Sequence, residues 1–206
     1  KMLDLLWLAA QRADPEAQSK IGYCFANGLG VTKDTSMAFK WYRNAAEAGY
    51  APAQVELGNC YVLGSGTTMD TEEAHRWFRK AAEQGNTRGE FSVGASYAMG
   101  RGVTRNDAKA VQWFRKAAEG GYALAQYNLA VHLEEGSGTE RDVTEAVKWY
   151  ERAAEHDLPE AFLALGSLYL EGTGLQADPD RARKYLQRAA ELGSMEAGKL
   201  LEIRFQ

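Results

Sequence analysis

The chain has 206 residues, with 24 Lys and Arg against 28 Asp and Glu and a formal net charge of −4 at pH 7. This mild acidity argues against nucleic-acid binding, which depends on a basic surface, and no apolar run approaches the roughly 18 residues of a membrane span. A hydrophobic fraction of 45% excludes a disordered chain.

In chain order, residues 1–14 contain one predicted helix over 3–12, and a 36-residue pattern begins at residue 15. A Gly-x-Gly motif recurs with this period, first at Gly28-Leu29-Gly30, and an aromatic series shares the spacing: Trp41, Trp77, Trp113, Trp149 and Tyr185. A period of this length is typical of stacked helical repeats. The pattern predicts repeats over 15–50, 51–86, 87–122, 123–158 and 159–194.

Each repeat contains two amphipathic patterns separated by the Gly-x-Gly motif. The first predicts a helix, here called A, over 15–27, 51–63, 87–99, 123–135 and 159–171. The second predicts a helix, here called B, over 35–48, 71–84, 107–120, 143–156 and 179–192. The pattern predicts a single helix B over 3–12. It also predicts a single helix A over 195–206, which caps the array. These elements predict an all-α solenoid of stacked antiparallel helix pairs.

The second repeat shows the motif most fully, with Ala53, Leu57-Gly58, Tyr61, Gly64-x-Gly66, Asp70, Ala74, Trp77-Phe78 and Ala81-Ala82-Glu83-x-Gly85. These residues resemble the Sel1-like repeat, a relative of the tetratricopeptide repeat. The resemblance covers essentially the whole chain and implies a right-handed superhelix that scaffolds protein complexes. The resemblance to bacterial members of the family slightly favours a periplasmic, envelope or secreted location for this chain over the cytoplasm. The opening Lys1-Met2 suggests a fragment of a longer protein, so the lack of a visible signal peptide does not indicate the compartment.

Residues able to perform catalysis or bind metal are few and scattered. His75, His132 and His156 each occupy a different position of the repeat, so no metal-binding pair is predicted. Cys24 and Cys60 occupy equivalent positions in neighbouring repeats, about 9–10 Å apart if helices pack normally. Because a disulfide needs Cα atoms within about 7 Å, two free thiols are expected. The sequence therefore predicts no enzyme, no cofactor and no metal.

One face of the A helices remains for a partner once the apolar face toward the B helices is buried. On this face we expect apolar residues in the middle and acidic residues toward the C-terminal end. The predicted partner-binding residues are Tyr23, Val55, Asn59, Val62, Arg88, Phe91, Ala95, Met99, Leu124, Tyr127, Val131, Glu134, Leu163, Ser167 and Leu170.

Two interpretations of these residues remain open. In the first, they line a concave groove for an extended or helical peptide that is apolar at its centre and basic toward one end. In the second, the array is tightly curved, and neighbouring A helices bury these side chains against one another. The predicted function is a non-enzymatic scaffold that binds a protein or peptide partner. The rival functions are an immunity-type protein that neutralises a bacterial effector enzyme, and an enzyme that acts on β-lactams or peptidoglycan.

Overall fold

The computed structural model describes residues 2–205 and the side chains of residues 5–205. This part of the chain contains twelve α-helices and no strand: α1 (Met2–Gln11), α2 (Pro15–Asn27), α3 (Thr35–Glu47), α4 (Ala51–Leu63), α5 (Thr71–Glu83), α6 (Thr87–Met99), α7 (Asp107–Glu119), α8 (Ala123–Glu135), α9 (Val143–Ala154), α10 (Pro159–Glu171), α11 (Pro179–Glu191) and α12 (Met195–Arg204). The predicted all-α fold of paired helices is confirmed. The A helices of the five repeats end where the sequence predicts, their B helices end one or two residues earlier, and the C-terminal helix α12 ends at Arg204.

The helices form two compact units, Lys1–Asn106 and Asp107–Gln206. In the first unit α2 pairs with α3 and α4 with α5, and successive pairs stack because α3 contacts α4 and α5 contacts α6. In the second unit α8 pairs with α9 and α10 with α11, and α12 packs on α11. Each unit is thus a stack of A and B helices, in which a helix contacts mainly the helices next to it in the chain.

Short polar side chains and left-handed residues set the helix ends. Asp34, Asp70, Asp142 and Asp178 each accept a hydrogen bond of 2.8–3.0 Å from the backbone N–H three residues later, which is the N-cap arrangement. At the turn after each B helix, Gly49, Gly85, Gly121 and Gly193 adopt positive φ. Asp157 occupies this place in the fourth repeat and still adopts a φ of 55°, so the turn is retained there without glycine.

The second glycine of the Gly-x-Gly motif lies against the preceding repeat. A Cβ atom on Gly102 would stand 2.0 Å from the carbonyl oxygen of Thr71, and one on Gly66 would stand 2.1 Å from the carbonyl oxygen of Thr35. Each of these carbonyls belongs to the first residue of a B helix. The loop of one repeat therefore packs directly on the start of the preceding B helix, and only a residue without a side chain fits.

The core of each unit lies between its A and B helices. A glycine in helix A allows the ring of a B-helix aromatic residue to lie on the backbone, as Phe78 does on Gly58. Buried glutamines add a polar link, because their side-chain amides donate to a carbonyl of the preceding B helix. The three examples are Gln18 to Ala10 at 3.3 Å, Gln54 to Ala46 at 3.2 Å and Gln126 to Ala118 at 3.3 Å.

Candidate functional site

The first unit contains a partly open cavity of about 160 Å³ between α4, α5 and α6. Five predicted partner-binding residues line it: Asn59, Val62, Phe91, Ala95 and Met99. The remaining wall comes from residues that the sequence analysis did not assign to a site: Thr71, Ala74, Phe78, Ser92, Ser96 and Arg101. The structure therefore brings the middle of the predicted stripe together around one cavity.

Small side chains on α6 create the space. Ala95 and Ser96 stand where α4 carries Asn59 and Cys60 and α8 carries Val131 and His132. The floor of the cavity includes the Phe78 ring, which is 5% exposed and rests on Gly58. A bulky residue on α6 would fill this volume, so the cavity depends on the composition of the third repeat and not on the repeat pattern.

Three polar side chains of the cavity wall donate hydrogen bonds within their own helices. Ser92 Oγ donates to the carbonyl of Arg88 and Ser96 Oγ donates to the carbonyl of Ser92, each at 2.8 Å. The Asn59 amide donates to Glu56 at 3.2 Å. The wall thus offers mainly apolar surface to an occupant, which is the usual character of a binding pocket.

The charged side chain in the cavity wall is Arg101. Arg88 and Glu56 do not line the cavity and pair with each other at 2.8 Å. Arg101 lines the cavity, is exposed, and forms no ion pair with residues that the structure describes. Met99 also lines the cavity and is 59% exposed, which places a flexible apolar side chain at the cavity mouth.

The prediction for Val55 is wrong, because its side chain is only 2% exposed. Helix α4 contacts α2 and α6 in addition to α3 and α5, and it is therefore covered on several sides. At this position neighbouring A helices do bury one another, as the alternative interpretation proposed. Tyr23 and Arg88 are exposed as predicted, although neither lines the cavity.

The predicted residues of the second unit contribute to packing as well as to the surface. Tyr127 contacts the ring of Tyr150 with centroids 5.6 Å apart, and the Tyr150 hydroxyl donates to Glu134 at 2.8 Å. Burial raises the pKa of both tyrosines. Leu124 is exposed, and the others are half-buried: Val131, Leu163, Ser167 and Leu170. Tyr127 and Glu134 are thus partly engaged within the unit.

The described residues include no group of three or more His, Cys, Asp or Glu side chains arranged to hold a metal ion. Cys24 and Cys60 are both free thiols, as their spacing predicts. Burial, with a smaller effect from Glu56, raises the pKa of Cys60 to about 11, so this thiol stays protonated at neutral pH and is a poor nucleophile. None of the helices described has both the length and the apolarity of a bilayer-spanning segment.

The model of the Sel1 repeat family matches the chain at residues 15–50, 51–86, 87–122, 123–158 and 159–194. A Sel1 repeat protein from Oxalobacter formigenes is similar in structure, with 38% identity, a TM-score of 0.85, and coverage of 91% of this chain and 77% of that one. No protein in the curated set is significantly similar to the chain.

Two further solved structures share the fold. The protein c5321, a protective antigen present in uropathogenic Escherichia coli strains, is 31% identical with a TM-score of 0.69, and the match covers 98% of this chain but only 52% of the antigen. The immunity protein Pa5087 from Pseudomonas aeruginosa matches with a TM-score of 0.62 and 16% identity over 99% of this chain and 79% of that one. At this identity the second likeness shows the fold alone.

Proposed function

Because the chain belongs to the Sel1 repeat family, we propose that it is a non-enzymatic scaffold that binds a protein or peptide partner through the A helices of its repeats. The observation that supports this proposal is the cavity of the first unit, which gathers five residues chosen from the sequence as a binding surface. Helical repeats commonly bind partners on such surfaces because stacked helices present side chains in regular rows.

The cavity would hold one side chain of the partner as an anchor. Complete burial of a Leu or Phe side chain contributes about 1.5–3 kcal/mol, which is the scale of an interface hot spot. Met99 at the mouth can adjust to the shape of the anchor, because a Met side chain is unbranched and flexible. The rest of the interface would add area and specificity around this contact.

The second unit supports the proposal more weakly. Its helix α10 carries the exposed carboxylates of Glu160 and Glu171, which suit a basic segment of a partner by charge complementarity. Tyr127 and Glu134 are partly engaged with Tyr150, so fewer of the predicted residues are available there. We therefore place the main anchor in the first unit and assign the second unit a subsidiary role.

The proposal is tested with Met99→Glu, which adds a charge at the cavity mouth, and with Met69→Glu as a matched control. Met69 is 71% exposed and does not line the cavity. We expect both variants to melt near the wild-type temperature, since both side chains are largely exposed. Proteins captured from an extract of the source organism by the immobilised wild type should be lost on Met99→Glu and retained on Met69→Glu. Equal retention by both variants would show that the cavity surface does not bind the partner.

A further inference from the structure

We infer that the segment bound by the first unit presents a single large apolar side chain next to a carboxylate. This inference rests on the proposed function, because it names the chemistry of the partner at the same cavity. Three properties of the cavity support it: its volume, the hydrogen bonds of its wall and the charge of Arg101.

The cavity volume limits the occupant to one side chain. About 160 Å³ is close to the size of a cavity that holds one benzene molecule, roughly 150 Å³. A Phe ring or a branched aliphatic side chain fits this space, whereas a helix or a pair of side chains does not. The partner therefore contributes one anchor at this point, and the chain on either side of the anchor passes over the rim.

The polar groups in the wall favour an apolar anchor. Ser92, Ser96 and Asn59 already donate hydrogen bonds within their own helices. Because the hydroxyl protons of Ser92 and Ser96 are used, a carbonyl group on the occupant would compete with these bonds or stay unsatisfied, which costs free energy in a buried position. A Phe or Leu anchor avoids this cost.

The charge at the rim favours an acidic neighbour to the anchor. Arg101 is exposed and without an ion-pair partner in the described part of the chain, and the other repeats carry Leu29, Ser65, Ser137 and Thr173 at its position. The carboxylates beside Thr71 in the sequence are engaged elsewhere, since Glu72 and Glu73 both pair with Arg76. An arginine offers a planar set of donors that matches a carboxylate.

The inference is tested by nuclear magnetic resonance with three blocked hexapeptides of Gly and Ser that carry Phe-Asp, Phe-Lys or Ala-Asp at the centre. At about 5 mM peptide, a concentration suited to millimolar affinity, the Phe-Asp peptide should shift the amide signals of Ala95, Ser96 and Met99. The Phe-Lys peptide should bind about two- to fivefold more weakly. The Ala-Asp peptide should leave these signals unchanged because it lacks the anchor.

A charge reversal gives the sharper test. In Arg101→Glu the order should invert, so that the Phe-Lys peptide binds more tightly than the Phe-Asp peptide. Lys40→Glu is the matched control, because Lys40 is exposed on α3 and forms no ion pair with described residues, and this variant should keep the wild-type order. Ala95→Leu, which fills the cavity, should abolish the shifts caused by Phe-Asp while its circular dichroism spectrum stays helical.

Each other outcome has a defined meaning. Equal affinity for Phe-Asp and Phe-Lys in the wild type and in Arg101→Glu would overturn the acidic preference and leave the scaffold proposal intact. Failure of all three peptides to shift the cavity signals would overturn the inferred anchor. The scaffold proposal itself fails only if the Met99→Glu and Met69→Glu proteins capture the same partners, which is a separate measurement.

Discussion

The contact between the glycine loop of one repeat and the start of the preceding B helix can be isolated with two substitutions. Gly102 and Gly85 have nearly the same left-handed backbone, with φ of 71° and 77°. An added Cβ on Gly85 meets no atom within 4 Å, whereas one on Gly102 would lie 2.0 Å from the carbonyl oxygen of Thr71. Replacement of both by Ala therefore separates the cost of the backbone conformation from the cost of the steric overlap.

The magnitudes follow from these two costs. A left-handed residue with a side chain costs about 1–2 kcal/mol, and reduced freedom of the unfolded chain returns about 0.4–1 kcal/mol. We expect Gly85→Ala to destabilise by about 1 kcal/mol. Gly102→Ala adds an overlap that the backbone must relieve, at about 1–3 kcal/mol, so a total of about 2–4 kcal/mol is expected.

Thermal unfolding followed by circular dichroism measures the difference. For a chain of this size about 1 kcal/mol corresponds to 2–4 °C in Tm, so Gly85→Ala should lower Tm by about 2–4 °C and Gly102→Ala by about 4–16 °C. Urea unfolding gives the same comparison as free energies. Equal losses for the two variants would refute the reasoning, because the overlap with Thr71 would then contribute nothing.

A buried glycine, Gly58, and a buried histidine, His75, can be tested in the same way. Gly58→Ala should destabilise the protein by about 1–3 kcal/mol, because the added Cβ would lie 2.4 Å from the Phe78 ring. Gly198→Ala on α12 should stabilise it by about 0.5–1 kcal/mol, because the added Cβ meets no atom within 4 Å. Urea unfolding of both variants checks that the two free-energy changes have opposite signs. Burial, with a smaller effect from Arg79, lowers the pKa of His75 below its ordinary value of 6.5. The unfolded chain therefore binds the proton first, and stability should fall as pH drops from 6.5 toward the folded pKa. His75→Phe, which places there the residue found at Phe39, should show a smaller fall over this range, and parallel curves for the two proteins would disprove the assignment.

The helices and their boundaries were predictable because several kinds of residue recur with the same 36-residue spacing. Apolar spacing marks each helix, Asp70 and its equivalents mark the starts of B helices, and glycine marks the ends. These signals act on the local backbone, and their recurrence in five repeats makes the helix boundaries consistent from one repeat to the next. In the fourth repeat Asp157 stands at the turn position that glycine holds elsewhere, and its φ of 55° keeps the turn left-handed, a conformation that Asp tolerates better than most residues.

The surface was harder to predict because it depends on how neighbouring helices cover one another. Val55 was expected to face a partner, yet it is buried, since α4 contacts helices of the repeats on both sides. A helix covered on several sides carries apolar residues around much of its circumference, so periodicity identifies no unique exposed face. The buried Gln54 was not predicted for a related reason, because its hydrogen bond to Ala46 joins two helices and leaves no mark in the periodicity of either one.

Under the proposed function, the residues that distinguish one repeat from the next select the partner. Positions such as Gly58 and Gly102 are constrained by contacts with Phe78 and Thr71, so they report on stacking in any chain with this fold. Ala95 and Arg101 have no such constraint: Ala95 leaves space in the cavity, and Arg101 has no ion-pair partner among the residues that the structure describes. Substitution of these two by the residues of another repeat should therefore preserve folding and remove binding. A chain that loses stability but keeps its partner after these changes would place the binding surface elsewhere.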